Sequence, residues 1–475
     1  MVMGDMVMTV DVVVIGSGPG GYGAAFRAAD LGLDVALVDP RPRPGGVCLH
    51  EGCIPSKTYL HLAELLLDTR RVREKGLRFE EPEIDLAAMQ AWKNQVIDNM
   101  ADGLVSLSDK RGVQLIIGTA FFENSTTVRL EGSEISRIKF KHAIIATGST
   151  PIVFPGTTPS ADSRIMNSAE ALNLSEIPEN LLIIGGGYVG LELGTVYSAF
   201  GSDVWLAEVE DRLLPLVDHD LVQPLSRQLA KLFTNILLNT RITSLTESDE
   251  GVLVQLETPD GQEAHSFDRV LVAMGRKPLS DKLGLENTGV EFDDRGCINV
   301  DEQQRTTEPN IFAVGDVSGG IMLAHTATRE GRIAAEVIAG QSSVFDVRAI
   351  PAIVYTDPQI AWCGLTEQQA KAIDIPVVIE KFPWKYSGRA NTMGATDGLT
   401  KILANPEDGR ILGIGITGRG AEGLIAEAVL AIEMGALAED MALSLHPHPT
   451  LSETEGEAAE IFVGSPTHLM PKKTR

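Results

Sequence analysis

The 475-residue chain is longer than one hydrophobic core usually serves, so three or four domains are expected. Its 44% apolar and 22% charged residues are ordinary for a globular protein, and its 47 glycines predict many tight turns and close approaches of backbone to ligand. A formal net charge of -25 argues against nucleic acid as a partner, and no apolar run approaches the roughly 20 residues that span a bilayer, so no membrane helix is expected.

The segment Met1–Thr9 carries no Lys or Arg and leads into a glycine motif, so a cytoplasmic protein without a signal peptide is expected. There are four cysteines. In a reducing compartment the close pair Cys48 and Cys53 is expected to be redox-active or metal-binding, and the solitary Cys297 and Cys363 to be small core residues.

The apolar run Asp11–Ile15 leads into Gly16-Ser-Gly18-Pro-Gly20-Gly21, then an Ala-rich helical stretch over 23–31, then a second apolar run, Val35–Val38, ending in Asp39. This is a strand–turn–helix–strand unit. Gly16 suits the tight turn, Gly18 the approach of a pyrophosphate and Gly21 close helix–strand packing, while Asp39 can accept from a ribose hydroxyl. The unit recurs: Leu181–Ile184 precedes Gly185-Gly-Gly187-Tyr-Val-Gly190, a helix to Phe200 and a strand Val204–Ala207 ending in Glu208. Each acidic residue lies 23 positions after its first glycine, so two dinucleotide-binding units are expected. Glu208 would pair with both ribose hydroxyls of NAD and repel the extra phosphate of NADP, and Arg212 is the only cation near it; NAD is favoured.

Between the two units lies Gly45-Gly-Val-Cys48-Leu-His-Glu-Gly-Cys53-Ile-Pro55-Ser-Lys57. Four residues between the cysteines permit a small disulfide ring. CxxC is the commoner metal spacing and no second Cys or His cluster completes a site, so no metal is expected. Pro55 predicts a helix start, which would set Cys53 beside the positive end of the helix dipole and favour its thiolate.

This stretch resembles the GGxCxxxGCxPSK motif of the flavin-linked disulfide reductases, the class I pyridine nucleotide-disulfide oxidoreductases, and the likeness runs from about residue 10 to 465. The resemblance implies that Cys48 exchanges with substrate, that Cys53 forms a charge-transfer complex with FAD, and that Lys57 lies near the flavin paired with Glu192. It also implies that the strands ending in Thr147-Gly148 and Gly275 close the nucleotide-binding domains, and that Asp316, after the run Ile311–Val314, binds the FAD ribityl chain. His50 and Glu51 depart from the family's commoner residues. The Glu51 carboxylate is expected to oppose thiolate formation at Cys53.

Further on, strands such as Ala352–Tyr355 and Leu399–Leu403 precede a helix over Ala421–Met434, and another helix is predicted over Thr454–Phe462. Between these helices lies Ser444-Leu-His446-Pro-His448-Pro-Thr450-Leu-Ser-Glu453, where Glu453 could orient His448. Taken alone this is a surface loop, a metal ligand or a base. It resembles the HxHPTxxE segment of the dihydrolipoamide dehydrogenase branch, with Pro447 where Ala is frequent, and that likeness implies that His448 is an acid–base catalyst serving the other subunit of a homodimer.

The implied fold is α/β: two Rossmann-like dinucleotide-binding domains plus a mixed α+β dimerisation domain. Residues 1–150 would form the first part of the FAD domain, 151–276 the NAD domain, 277–347 a central domain completing the FAD site, and 348–475 the dimer interface. The implied activity is oxidation of protein-bound dihydrolipoamide to lipoamide through Cys48, Cys53 and FAD, with reduction of NAD, on a lipoyl-carrying partner. An NADPH-linked reductase of a small disulfide is the rival, and the acidic run Glu208–Asp211 speaks against it. Lys472, Lys473 and Arg475 predict a frayed basic tail.

Overall fold

A computed structural model describes residues 6–158, 160 and 162–471; the predicted basic tail lies outside the described residues. The chain is α/β. In the first sheet the strand Val7–Ile15 lies between parallel neighbours Val35–Asp39 and Arg137–Ile145, and Gln114–Ile117 extends the parallel set. Val12, Val13 and Val14 have no exposure, because helices or strands cover both faces of this strand; that is why its sequence is a continuous apolar run rather than an alternation. The far edge of Arg137–Ile145 is shared. Its first half pairs antiparallel with Thr127–Glu131, while residues 143–145 pair in parallel with the late strand Ile311–Ala313. A segment more than 160 residues downstream thus returns to complete the first sheet.

The second unit repeats the plan. Asn235–Leu237, Asp203–Ala207, Asn180–Ile184, Arg269–Val272 and Ile165–Met166 form a wholly parallel sheet. Its entry and exit strands, Ser149–Pro151 and Arg276–Pro278, pair with each other as a two-stranded link. The last sheet is antiparallel, in the order Ala352–Val354, Gln359–Gly364, Ile411–Gly418, Leu399–Ala404, Val378–Pro383. The helices Ala421–Met434 and Glu453–Phe462 pack on it.

The two glycine loops have the same steric cause. Gly16 (φ +99°) and Gly185 (φ +111°) turn in the left-handed region, and a Cβ on either would lie 2.3 or 2.4 Å from the carbonyl oxygen of Ala146 or Ala273. Gly21 and Gly190 let each helix cross its own turn, where a Cβ would fall 1.8 or 2.2 Å from the first glycine's oxygen.

A buried ion cluster joins the second unit to the last sheet. Lys401, 1% exposed, donates to Asp218, Asp220 and Glu367 at 2.7, 2.8 and 2.9 Å. These three carboxylates are the only acidic group among the described residues close enough to share a metal ion, and the lysine ammonium occupies their centre.

Candidate active site

A cleft of about 500 Å³ runs along the first glycine loop, a volume within the range usual for ligand sites. Gly16, Gly18, Asp39, Cys48, Cys53, Lys57, Thr147, Gly148, Glu192 and Asp316 all line it. Gly21 packs behind the loop. Gly185, Gly187, Gly190, Glu208 and Gly275 belong to the second unit and are not among the residues lining this cleft, and neither His448 nor Glu453 is.

The two acidic residues do the same work in their loops. Asp39 accepts from Ser17 N and Ser17 Oγ at 2.8 Å and from Arg41 N at 2.8 Å. Glu208 accepts from Gly186 N at 2.5 Å and from Glu210 N at 2.9 Å. Each carboxylate thus clamps its glycine turn and keeps acceptor capacity for a ligand hydroxyl. Arg212 is turned aside, with Nη2 donating to Pro215 O at 2.5 Å.

Cys48 and Cys53 are free thiols whose ionisations influence each other. Their elements differ from the sequence expectation. The helix starts at Cys53 itself, with Gly52 as cap, and Pro55 is its third residue. Proline is tolerated there because the first-turn N–H groups have no intrahelical acceptor to lose. Cys48 lies in a separate short helix, Gly46–Glu51. The neighbouring Cys48 thiol and the Lys57 cation outweigh burial and the Glu192 carboxylate, and hold the Cys53 thiol down at about 7. The neighbouring Cys53 and burial push Cys48 far up. Cys53 is therefore the more acidic thiol of the pair. The Cys53 side chain is open to the cleft, although the pair lies deep in it.

Lys57 is fixed from two sides. Its Nζ donates to Glu192 Oε2 at 2.8 Å and lies 4.4 Å from the Tyr355 ring centroid, while Glu192 Oε1 accepts from Tyr355 N at 3.0 Å. Glu192 is buried. This one triad draws on the cysteine helix, the second unit and the start of the last sheet.

The Glu51 carboxylate, expected to oppose thiolate formation at Cys53, is engaged in an ion pair. Glu51 Oε2 lies 2.8 Å from Arg41 Nη2. His50 faces away, with Nε2 3.1 Å from Pro44 O.

Residues that sequence reading missed complete the floor. Ser149 Oγ donates to Asp316, and Arg276 donates from Nε to Ser149 Oγ and from Nη2 to Ser149 O, both at 2.7 Å. This network ties the two-stranded link to the cleft. The only signal was position, since Ser149 follows Gly148 and Arg276 follows Gly275. Thr147 Oγ1 donates to Leu279 O at 2.6 Å.

His448 stands on the surface of the last domain, its side chain 70% exposed, with Nδ1 2.7 Å from Glu453 Oε1. Glu453 also accepts from Thr450 N at 2.7 Å, which fixes the carboxylate. The neighbouring His446 is half-buried, with Nε2 2.9 Å from Glu427 Oε1. Cys297 and Cys363 lie in the core, 4% and 1% exposed. No described helix is long and apolar enough to cross a membrane.

Residues 10–331 match the family model described as pyridine nucleotide-disulphide oxidoreductase, and residues 350–459 match that family's dimerisation domain. The chain is 44% identical over 464 residues to the dihydrolipoyl dehydrogenase of Vibrio parahaemolyticus, covering 97% of each chain. It is 43% identical to that of Geobacillus stearothermophilus, covering 99% of this chain and 100% of the relative. Among solved structures, LpdA of Mycobacterium tuberculosis superimposes with a TM-score of 0.87 at 27% identity, over 95% of this chain and 99% of that one. The HOCl-induced flavoprotein disulfide reductase RclA of Escherichia coli gives 0.83 at 27% identity, over 95% and 99%. With its paired glycine loops and its cysteine pair on the cleft wall, the chain belongs to the pyridine nucleotide-disulphide oxidoreductase family.

Proposed function

We propose that this protein is a dihydrolipoamide dehydrogenase: a homodimer that binds FAD in the main cleft and NAD at the second glycine loop, and oxidises the dihydrolipoyl group of a carrier protein. The observation that carries the reading is the pair of free thiols, Cys48 and Cys53, one at a helix N-terminus, in the wall of a cleft that the first glycine loop also lines.

The residues present fit both cofactors. The helices Pro19–Asp30 and Tyr188–Phe200 each begin at a glycine with no side-chain cap, which leaves their first N–H groups to a pyrophosphate. Gly16, Gly18, Asp39, Thr147, Gly148 and Asp316 would hold FAD, with Lys57 and Glu192 beside its ring; Gly185, Gly187, Gly190, Glu208 and Gly275 would hold NAD. Bound FAD supplies a two-electron relay between dithiol and nicotinamide. In this reading residues 1–150 and 277–347 build the FAD site, 151–276 the NAD site and 348–475 the dimer contact.

The oxidised enzyme carries a Cys48–Cys53 disulfide. His448 of the partner subunit, held by Glu453, takes the proton of one substrate thiol, and the thiolate attacks Cys48 Sγ. The Cys48–Cys53 bond breaks and Cys53 leaves as the thiolate that Lys57 and the helix terminus stabilise. The second substrate thiol then displaces Cys48. A substrate disulfide forms, Cys48 takes up a proton, and the two cysteine sulfurs hold the two electrons.

The composite site is supported by an imidazole that faces solvent rather than its own cleft. It is also supported by an uncovered apolar face on the same domain: Leu430 is 63%, Met434 76% and Leu443 75% exposed. Subunit mixing tests it. Cys48→Ser and His448→Gln homodimers should both be inactive in NAD-linked dihydrolipoamide oxidation, and mixed dimers should regain activity through one intact site. No recovery on mixing would contradict the composite site.

A further inference from the structure

Arg41 and Glu51 form an ion pair in the cleft wall that the chemistry above does not use. Arg41 stands two residues after Asp39, and its backbone N–H donates to Asp39 Oδ1 at 2.8 Å. Its side chain crosses to the short helix that carries Cys48, with Nη2 2.8 Å from Glu51 Oε2. The other terminal nitrogen, Nη1, is shut off from solvent and meets no acceptor among the described residues. A guanidinium is a planar fork that keeps its charge in proteins, so a buried arm without an acceptor is costly unless a ligand supplies one. Arg41, Glu51 and Asp39 all line the cleft, with Gly118 and Thr119.

Resting on the reading of this cleft as the FAD site, we infer that Arg41 is a further cofactor-binding residue, with Glu51 holding one arm of its guanidinium so that Nη1 donates to an acceptor oxygen in the adenosine diphosphate half of FAD. Three features choose that half. Asp39, at the end of its strand, is the ribose acceptor of such a unit, and Arg41 is anchored to it. A charged fork matches phosphate and ribose oxygens. The cysteine-and-lysine end of the cleft already has its own cation in Lys57. Glu51 pairs with Arg41, and the pair fastens the Gly46–Glu51 helix to the nucleotide end of the site.

The test measures flavin affinity rather than turnover. Holoenzymes of wild type, Arg41→Gln and Glu51→Gln would be stripped of flavin, their folding checked by circular dichroism, and retitrated with FAD by fluorescence quenching. Losing one charge-assisted hydrogen bond weakens binding by about tenfold or more, so Arg41→Gln should raise the FAD dissociation constant by that factor. Glu51→Gln, which leaves the donor but loosens its anchor, should raise it less. If Arg41→Gln fails to fold, Arg41→Lys keeps the charge beside Glu51, removes the second arm and should weaken FAD in the same direction. Unchanged affinity in the folded arginine variant would overturn the inference, as would a larger effect from Glu51→Gln than from Arg41→Gln. A wild type that binds no FAD would instead overturn the cofactor reading on which it rests.

Discussion

Replacing Glu455 by Gln should make this protein more stable at neutral pH, by an amount that grows with pH. Glu455 sits in the first turn of the Glu453–Phe462 helix with no exposure, and neither carboxyl oxygen has a partner among the described residues. Burial, and secondarily the Glu427 carboxylate, push its carboxyl up to about 9 from the ordinary 4.5. The folded protein therefore keeps Glu455 neutral while the unfolded chain ionises it. With the folded value raised, stability is fully present below 4.5 and declines as pH rises toward about 9. At about 1.4 kcal/mol per pH unit, the protonation costs about 3 kcal/mol at pH 7 and under about 1 kcal/mol at pH 5. A glutamine has the same shape and no proton to gain. Thermal midpoints of wild type and variant at pH 5, 6, 7 and 8 should nearly coincide at the acid end and separate steadily, by several degrees at pH 7. A gap that stays constant across this range would refute the claim that Glu455 is buried neutral.

Three further outcomes follow from the site and the ion cluster. Lys57→Met should raise the Cys53 value above about 7, because the cation that favours the thiolate is gone; thiolate absorbance in the reduced enzyme at pH 7 should drop, and an unmoved titration would count against the role of Lys57. Glu51→Gln should leave that titration where it is, since Arg41 already neutralises the carboxylate; a clear downward shift would restore the expectation drawn from sequence proximity. Lys401→Met should cost about 3–5 kcal/mol in denaturant unfolding by leaving the buried Asp218 without a cation and Asp220 and Glu367 with Lys381 alone, and a cost under about 1 kcal/mol would mean that the cluster is not a structural tie.

What was legible in the sequence is what is local. The glycine loops, their strands and their acidic residues are written within about 25 positions, because a turn that only glycine can make leaves its mark in one short segment. The helix start was misjudged for a related reason: Pro55 is compatible with several first-turn positions, and Gly52 decides among them through its backbone conformation. Contacts made across the fold left no local mark. Glu51 is two residues from Cys53 in sequence, yet its partner is Arg41. The Arg276–Ser149–Asp316 network spans separations of 127 and 167 residues, and a glutamate at position 455 looks like any helix glutamate until the sheet beneath it is in place. His448 and Glu453 were readable as a pair because five residues separate them, but which cleft the imidazole serves is a property of the assembly.

The central claim, that the Cys48–Cys53 pair passes electrons from a lipoyl dithiol to FAD and then to NAD, meets its most direct test in an anaerobic absorption titration of the purified protein with dihydrolipoamide, NADH and NADPH in turn. A long-wavelength charge-transfer band that appears with dihydrolipoamide and NADH, is lost in Cys53→Ser and barely forms with NADPH is the expected result. A flavin spectrum that responds to NADPH alone would contradict the reading of Glu208 and of the substrate, and a protein without flavin absorbance would contradict the assignment of the cleft.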